Sequence, residues 1–490
     1  MRHQRQYLGR HFCPQRRSLL RLGGGAFGLQ LTGLLQAQGA KTAVGFASEQ
    51  PHKSPAIKSC ILLFYYGGPS HLETYDLKPD GPSDSRGEFK PIATSAPGIF
   101  ISEHLPKMSR IMHKVALIRS MHHQNRLHDS ASIETLTGRP SPTGDREEFA
   151  VMPQFYPCFG AGLSYLLQNR QIEIPHAALP FVFHNVVDTP CQGGGFLGSK
   201  FDPLQISLDV NAQTYHAGTL ALPAGRTTSM LHDRRRLLEA LESTVTTGSS
   251  ATTSQHAASE QWRMNYEKAL QLIGSEDLRT ALDLTQESPQ TRQRYGYGPD
   301  PLSVGEGGGG GNGSELGFGR QLRGQNLLVA RRLVEAGVPF INVYDFRQQG
   351  QNWDAHFKVF NQHKTHLLPL ADQSLSALIE DLDDRGLLDS TLVVAVGEFG
   401  RTPKINGDGG RDHWPDCYTA LIAGGGVRGG LVYGASDAQG AYPASDPVTP
   451  GDLAATIYWR FGLNPATEIH DLTGRPHRLA EGQPVKNLFS

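Results

Sequence analysis

Short apolar segments that each end in a polar loop recur along this chain, separated by segments with helical periodicity. The apolar segments, which we predict to be buried strands, span residues 59–66, 115–118, 340–344, 391–396 and 419–423. Amphipathic helix patterns cover residues 320–336, 366–385 and 451–461. Apolar strands that alternate with such helices are typical of a largely parallel sheet buried on both faces. The sequence therefore predicts an α/β fold.

The middle of the chain has a different character. Residues 145–300 carry few strand signals, residues 244–259 are rich in Ser, Thr and Ala, and residues 305–313 read GEGGGGGNG. This glycine tract lacks the Gly-Lys-Ser/Thr ending of a phosphate-binding loop, so we interpret it as a flexible connection. We predict one domain over residues 55–490, with a large insertion at about residues 145–315 that includes the flexible glycine-rich tract 305–313.

The first 40 residues have the composition of an export signal, with six arginines and no acidic residue. Arg16-Arg17 precedes Ser18-Leu19-Leu20, and a glycine-rich apolar run follows over residues 22–35. The arginine pair resembles a twin-arginine signal, which predicts export by that route to a periplasmic or extracellular location. Because the run is short and rich in glycine, we expect no stable membrane span after signal removal. The alternative is a basic segment that stays attached to the protein.

The balance of charges argues against one class of partner. The chain has 46 basic and 47 acidic residues, a net charge of −1. Without the leader, 40 basic and 47 acidic residues remain, which gives −7. A general nucleic-acid binder needs a strong positive field, so we predict no nucleic-acid partner.

Polar side chains cluster after the predicted strands, where ligands bind in open α/β sheets. The clusters comprise Ser70, His71, Glu73 and Asp76; His122, His123, Asn125, His128, Asp129 and Ser130; Asp345, Arg347, Asp354 and His356; and Glu398, Arg401, Thr402, Asp412 and His413. His, Asp and Glu side chains together suit a divalent metal such as Zn²⁺, Mn²⁺ or Ca²⁺. The alternative is a structural network of helix caps and hydrogen bonds. The convergence of four such loops favours the metal site.

Several longer stretches resemble one protein superfamily. They are FYYGGPSHLETYDLKP, NRLHDSASIETLTGRP, NWDAHF, GEFGRTPKINGDGGRDHWP and TPGDLAATIYWRFG. With the leader, they resemble the alkaline phosphatase/sulfatase superfamily and, more closely, its secreted sulfatase-like family known as domain of unknown function 1501. The resemblance implies an alkaline-phosphatase-like three-layer sandwich, with a mostly parallel central sheet, helices on both faces and a large insertion. It also implies an exported metal-dependent hydrolase of sulfate or phosphate esters.

The resemblance also implies metal ligands in this sequence. Asp354 and His356 resemble the Asp and His that hold one metal, and His413 resembles a later histidine ligand. Glu398 stands where relatives have a metal-binding aspartate, but the next residue, Phe399, cannot bind metal. The first strand ends in Gly-Gly-Pro where relatives carry acidic ligands. Asp76, Glu73 and His71 are the candidates to compensate, and the choice among them stays open.

The position of the nucleophile is ambiguous. In the superfamily it lies about ten residues before the glycine of a closing Thr-Gly, and here that position is His128. The triplet Asp129-Ser130-Ala131 resembles the phosphatase nucleophile, but a shift of two residues at a helix start rotates a side chain by roughly 200°. Either Ser130 attacks the substrate, or His128 is a ligand and the reaction has no covalent step. The formylglycine pattern of sulfatases is absent from the sequence.

Two functions remain in competition. In the first, Ser130 or His128 occupies the nucleophile position of a hydrolase, while Arg401 or Arg347 binds the anion of a small ester or of a sulfated or phosphorylated glycan. In the second, the chain is a non-catalytic exported protein that binds glycans or anions on a degenerate fold. Convergence of Ser130 with Asp354, Glu398 and His413 favours the enzyme, whereas a scattered set favours binding.

Overall fold

A computed structural model describes residues 56–490 apart from several gaps. The gaps are 149, 153, 185–186, 210–211, 218–228, 231–232, 235, 238–239, 241–274, 299–318 and 346–352. The described residues belong to one compact unit, Ser54–Ser490. The predicted signal over residues 1–40, the glycine-rich tract 305–313 and Arg347 lie outside the described residues.

An eight-stranded sheet forms the centre of this unit. Its strands are β1 (Ser59–Phe64), β2 (Val115–Met121), β3 (His176–Leu179), β4 (Leu204–Gln205), β5 (Phe340–Tyr344), β6 (Thr391–Val396), β7 (Tyr418–Gly424) and β8 (Val432–Tyr433). Their order across the sheet is β8-β2-β7-β6-β1-β5-β3-β4. Strand β7 runs antiparallel to both of its neighbours, and the other pairs are parallel. The prediction of a largely parallel sheet is confirmed.

Helices cover both faces of the sheet. They are α1 (Pro106–Ile111), α2 (His128–Thr137), α3 (Phe159–Leu167), α4 (Glu276–Leu282), α5 (Pro289–Arg294), α6 (Gly319–Glu335), α7 (Val359–Gln362), α8 (Leu368–Asp384) and α9 (Pro450–Arg460), with a π-helical segment, His363–Leu367, between α7 and α8. Outside the sheet, the described residues form five two-stranded ribbons: Pro91–Ala93 with Phe100–Ser102, Ser207–Asp209 with Thr214–His216, Gly400–Arg401 with His413–Trp414, Ala435–Ser436 with Pro443–Ser445, and Glu468–His470 with Pro476–Arg478.

The side chains of β1 show why the fold has three layers. All six residues of this strand are buried, and successive side chains point to opposite faces. Ile61 and Leu63 join an apolar core that includes residues of α1, α4, α6 and α8. Cys60, Leu62 and Phe64 join a second core with residues of α2, α3 and α9. Burial on both faces accounts for the uninterrupted apolar run and confirms the three-layer α/β architecture.

The predicted insertion contributes to the same sheet. Strand β3 pairs with β5, and β4 pairs with β3, so both extend the edge next to β5. Strand β3 has four residues and β4 has two. Runs this short carry too little periodicity to be recognised in the sequence.

Four strands end at the same edge of the sheet and thereby bring their loops together. Strands β1, β5 and β6 are adjacent and parallel, and β2 runs in the same direction on the other side of β7. The carboxyl ends of parallel strands are the usual ligand-binding edge of such sheets. Helix α2, the Gly-Gly-Pro turn after β1 and the loops that follow β5 and β6 all begin at this edge.

Candidate metal centre

Three side chains from different loops meet at this edge. His128, Asp354 and His413 each offer one ligand atom, and these atoms lie within 4.8 Å of one another. His128 Nε2 lies 3.3 Å from Asp354 Oδ2, and His413 Nε2 lies 3.2 Å from Asp354 Oδ1. A compact set of two imidazoles and one carboxylate suits a divalent metal such as zinc.

His356 adds a fourth donor to this group. Its Nε2 atom lies 2.9 Å from Asp354 Oδ1 and 3.0 Å from His413 Nε2. The side chain of His356 is 41 % exposed, whereas that of His128 is fully buried. The metal cluster, by which we mean His128, Asp354, His356 and His413, is therefore open to solvent on the His356 side.

The three histidines share one pattern of hydrogen bonding. Each directs Nε2 towards Asp354 and holds Nδ1 against an oxygen atom outside the cluster. The distances from Nδ1 are 2.7 Å to Glu398 Oε1 for His128, 2.8 Å to Asp412 Oδ1 for His356, and 2.7 Å to the Arg126 carbonyl oxygen for His413. Metal-binding histidines usually donate their second N–H in this way, because the bond orients the ring and selects its tautomer.

Arg401 supplies a positive charge beneath Asp354 and is itself fully buried. Its Nη2 donates to Asp354 Oδ1 at 2.7 Å and to the Gly67 carbonyl, and its Nε donates to the Gly68 carbonyl at 2.9 Å. Its Nη1 donates to the Arg411 carbonyl at 3.1 Å. Each of these nitrogen atoms thus faces a protein acceptor. These contacts orient Asp354, which differs from the predicted role of Arg401 in binding the substrate anion.

Glu398 contacts His128 on the side of the ring that faces away from Asp354. Its Oε1 atom accepts from the Gly67 N–H at 2.8 Å and lies 2.7 Å from His128 Nδ1. Its carbonyl oxygen accepts from His123 Nε2 at 2.5 Å, while His123 Nδ1 accepts from the Asn125 N–H at 3.1 Å. Burial lowers the pKa of His123 to about 4, so this ring is neutral at physiological pH. Glu398, predicted to be a ligand, is not among the candidate ligand atoms that meet here and instead holds the His128 ring.

The charges of the cluster are strongly coupled. Burial disfavours the ionised form of Asp354, but Arg401 and the neighbouring histidines hold its pKa well below its usual range. Burial also lowers the pKa of His128, yet the hydrogen bonds that this ring donates to Asp354 and Glu398 outweigh burial and raise the pKa to about 9. Burial lowers the pKa of His413 to about 4. The hydrogen bond with Asp354 also raises the pKa of His356, so His128 and His356 both bind a proton more tightly than a free imidazole does.

Ser130 faces away from the metal cluster. Its Oγ donates to Asp145 Oδ1 at 2.7 Å and to the Leu127 carbonyl at 3.2 Å. Ser130 and His128 both lie in the first turn of α2, where His128 is the first residue. The rotation of roughly 200° between positions two residues apart explains why His128 enters the cluster and Ser130 does not. The structure thus brings His128 to the cluster and does not bring Ser130 there.

The acidic residues and the histidine that follow β1 have other partners. Asp76 pairs with Lys78 at 3.0 Å and accepts a hydrogen bond from Ser436. His71 Nε2 lies 2.8 Å from the Gly440 carbonyl oxygen. The structure therefore does not bring Asp76 or His71 to the metal cluster, because a short 3₁₀ turn, His71–Glu73, carries them to one side. Glu73 instead forms a fully buried ion pair with Arg411.

The Gly-Gly-Pro turn after β1 is required by close approach of the backbone. Gly67 has a φ of +109°, and a Cβ atom there would lie 2.6 Å from the Asp354 nitrogen. Gly68 has a φ of +70°, and a Cβ atom there would lie 2.5 Å from the Phe399 ring. Phe399 in turn packs 4.4 Å from the His413 ring and 5.0 Å from the His128 ring. This turn therefore packs against the cluster and contributes hydrogen bonds from its backbone only.

Two contributors to the site were given no individual role from the sequence, although Asp412 was one of the clustered polar residues. Asp412 orients His356, and the carbonyl oxygen of Arg126 orients His413. Asp412 directly precedes the candidate ligand His413, and this position in the sequence was the one indication that its carboxylate lies at the site. A backbone carbonyl has no signal in a sequence, because every residue carries one.

Comparisons with known proteins place these observations in context. A search of curated proteins finds no match. Similar solved structures include Ps i-CgsB in complex with k-i-k-neocarrahexaose (12 % identity, 84 % of this chain and 73 % of that chain, TM-score 0.38). They also include a sulfatase from Pseudoalteromonas sp. (14 %, 89 % and 70 %, TM-score 0.35) and a mutant of alkaline phosphatase PafA (9 %, 89 % and 99 %, TM-score 0.41).

Two further findings concern membrane association and family. Among the helices of the described residues, none has the length and apolar character needed to cross a membrane. The family described as "Protein of unknown function (DUF1501)" matches residues 57–489, which is most of the chain. The chain therefore belongs to the DUF1501 family.

Proposed function

We propose that this protein is an exported metal-dependent hydrolase of sulfate or phosphate esters. The observation that carries the proposal is the arrangement of the three histidines around Asp354. Each imidazole presents Nε2 to the centre of the cluster and commits Nδ1 to an oxygen acceptor. The reaction class comes from the resemblance of the sequence motifs to the phosphatase and sulfatase superfamily.

The donor set fits a divalent metal. His128, His356, His413 and Asp354 would hold it, and three imidazoles with one carboxylate are a combination that suits zinc. A bound divalent ion polarises an ester oxygen and lowers the pKa of a bound water. The identity of the ion is part of the proposal, with Zn²⁺ preferred over Mn²⁺ and over Ca²⁺, because Ca²⁺ takes oxygen ligands.

The residues around the cluster prepare it for this role. Arg401 balances the charge of Asp354 inside the protein, which keeps the carboxylate ionised although it is buried. Glu398, Asp412 and the Arg126 carbonyl hold the rings in place before any ion arrives. Such preorganisation reduces the reorganisation that binding requires. The exposed side at His356 gives an ester access to the cluster.

The attacking group in this proposal is a water molecule. Ser130 is fully buried, and its hydroxyl donates to Asp145. A hydroxyl attacks an ester held at a metal only if it faces that site, and the Ser130 hydroxyl is directed to the Asp145 carboxylate instead. The reaction would therefore proceed by direct hydrolysis, without a covalent intermediate on the protein.

The same observation about Ser130 favours a second candidate. A chain that has lost the nucleophile of its relatives could hold a metal and bind an anionic ester or a sulfated or phosphorylated glycan without cleaving it. The twin-arginine-type leader supports export for either candidate, since that route carries folded proteins and suits a metal acquired before export.

Metal analysis of the mature protein, purified without chelators or affinity metals, tests the proposal. We expect one tightly bound zinc ion per chain, lost in His413→Ala and in Asp354→Asn. His470→Ala is the matched control, because His470 lies exposed on a ribbon outside the cluster. Turnover of 4-nitrophenyl phosphate or sulfate that depends on this ion supports the hydrolase. A metal-loaded protein without turnover supports the binding protein, and a protein that binds no zinc, manganese or calcium contradicts both metal-based readings.

A further inference from the structure

Exposed apolar side chains are found close to three residues of the metal cluster. Leu127 is 37 % exposed and precedes His128, and Phe357 is 44 % exposed and follows His356. Tyr442 is 53 % exposed and packs against Trp414, the residue after His413. Large apolar side chains at the surface are informative when they gather at one place. Each of these groups is next to a cluster residue along the chain or in direct contact with such a neighbour.

Trp414 and Tyr442 form an angular aromatic corner. Their ring centroids are 5.7 Å apart, with an angle of 63° between the planes. The indole Nε1 of Trp414 donates to the Ala441 carbonyl at 2.6 Å, which fixes the ring against the loop that carries Tyr442. The corner is therefore held in place by a hydrogen bond while the Tyr442 ring remains accessible.

Arg126 connects this corner to the metal cluster. Its carbonyl oxygen holds His413 Nδ1, and its guanidinium lies 5.4 Å from the centre of the Trp414 ring. The guanidinium also pairs with Asp416 at 2.6 Å and is 48 % exposed. One residue thus contacts a proposed ligand through its backbone and the aromatic corner through its side chain.

We propose that Trp414, Tyr442 and Arg126 form a subsite for a hexopyranose ring that carries a tetrahedral oxyanion. This inference rests on the proposed function, because it names the class of substrate whose ester group would reach the metal cluster. The two aromatic rings would contact an apolar C–H face of the sugar, and Arg126 would bind an oxyanion through its planar fork of donors. We call Trp414, Tyr442 and Arg126 the sugar subsite.

The charges around the subsite narrow the substrate class further. Arg126 contributes one cation and pairs with Asp416, which is 24 % exposed, and Asp412, two residues before Trp414 in the chain, adds a second carboxylate that is 55 % exposed. Carboxylates accept hydrogen bonds from hydroxyl groups but repel additional anions. The subsite therefore fits a sugar with one sulfate or phosphate and free hydroxyls better than a densely charged polymer.

The shape of the corner favours a sugar over an aryl ester. A flat aromatic ring gains most from offset stacking or from a slot between ring faces. Rings inclined by 63° leave no such slot, whereas a puckered pyranose presents C–H groups in two directions. The experiment must therefore distinguish a sugar ester from an aryl sulfate, which is the alternative occupant of the subsite.

Calorimetric titration of the mature protein tests the sugar subsite. The probes are glucosamine 6-sulfate, glucose 6-phosphate, 4-nitrophenyl sulfate and inorganic sulfate. We expect the two sugar esters to bind more tightly than the other probes, and Tyr442→Ala to weaken sugar-ester binding by about 3- to 10-fold. Tyr442→Phe keeps the ring and retains the affinity. Leu472→Ala, which removes a 76 % exposed apolar side chain outside the subsite, leaves it unchanged.

Two results overturn the inference. One is sugar-ester affinity in Tyr442→Ala equal to that of the unaltered protein. The other is an equal loss for 4-nitrophenyl sulfate, which assigns the corner to aryl esters. Repeating the titration after treatment with EDTA separates this inference from the proposed function. If the protein binds sugar esters through Tyr442 but holds no metal and shows no turnover, the result supports the sugar subsite and not the hydrolase. If turnover depends on metal but is unchanged in Tyr442→Ala, the result supports the hydrolase and not the sugar subsite.

Discussion

The buried ion pair between Glu73 and Arg411 anchors the loop that carries His413. Both side chains are fully buried. Arg411 Nε lies 3.0 and 3.1 Å from the two Glu73 oxygens, and Nη2 lies 2.7 Å from Oε1. The same guanidinium donates to three carbonyl oxygens, those of Ser85, Thr402 and Pro403. Arg411→Met removes these bonds while keeping a side chain of moderate size, so it isolates the role of the guanidinium.

The expected loss of stability follows from the buried Glu73 charge that Arg411→Met leaves without its partner. Breaking a buried pair from one side costs about 3–5 kcal/mol, because the remaining charge is uncompensated. Here the remaining charge is Glu73, whose other side-chain partner is the Ser70 hydroxyl. A domain of this length has an unfolding entropy of roughly 0.9 kcal/mol/K, so a loss of about 4 kcal/mol lowers Tm by about 4–5 °C.

Differential scanning calorimetry in EDTA measures this loss without a contribution from bound metal. Arg294→Met is the matched control, because Arg294 pairs with Glu380 and Asp384 at the surface and its loss should cost under about 1 kcal/mol. Adding Glu73→Gln to Arg411→Met removes the stranded charge and should restore about 2 kcal/mol. An Arg411→Met protein as stable as the Arg294→Met protein, or a double variant without recovery, refutes the reasoning.

Three further predictions address the helix that begins with His128. Burial raises the pKa of Glu134 to about 7, so its carboxyl binds a proton more tightly in the folded state than in the unfolded state. The free energy of unfolding should therefore fall by up to ~3 kcal/mol as pH rises from about 4.5 to 7. Urea titrations of Glu134→Gln should lack this fall. Gly138→Ala should cost at least ~2 kcal/mol in urea unfolding, because φ is +71° and the new Cβ would lie 2.5 Å from Ala454 Cβ; a loss below ~1 kcal/mol contradicts this. Ser130→Ala breaks the bond to Asp145 and should cost ~1 kcal/mol of stability while metal content stays at the unaltered level; a more than 100-fold loss of turnover would restore Ser130 as the nucleophile.

Much of the fold could be predicted because its central strands are buried on both faces. Strands β1, β5 and β6 have uninterrupted apolar sequences, and such runs indicate parallel strands in a covered sheet. The two edge strands from the middle of the chain were not predicted, because runs of four and two residues show no period. Strand β3 is placed by its pairing with β5, a contact distant in sequence, and β4 is placed by its pairing with β3.

The candidate site could be predicted only in part, because a sequence shows residue types but not the directions of side chains in short turns. Asp354, His356 and His413 were recognised by residue type and motif, and all three converge. Asp76 and His71 belong to an equally polar loop, but a short turn decides where their side chains go, and residue type does not encode that direction. At the start of α2 the helical rotation separates His128 from Ser130, so the outcome depended on which residue began the helix.

The order of the strands also bears on when the protein can fold during synthesis. Strand β1 lies near the start of the described chain, yet its partners β5 and β6 are made only after most of the chain has been synthesised. Pairing between segments so distant in sequence is slow, because loop closure must precede the contacts that stabilise it. The cluster gathers residues 128, 354, 356 and 413, so a nascent chain cannot assemble it until residue 413 has emerged. The twin-arginine signal that the sequence predicts, which exports proteins already folded, would suit this late assembly.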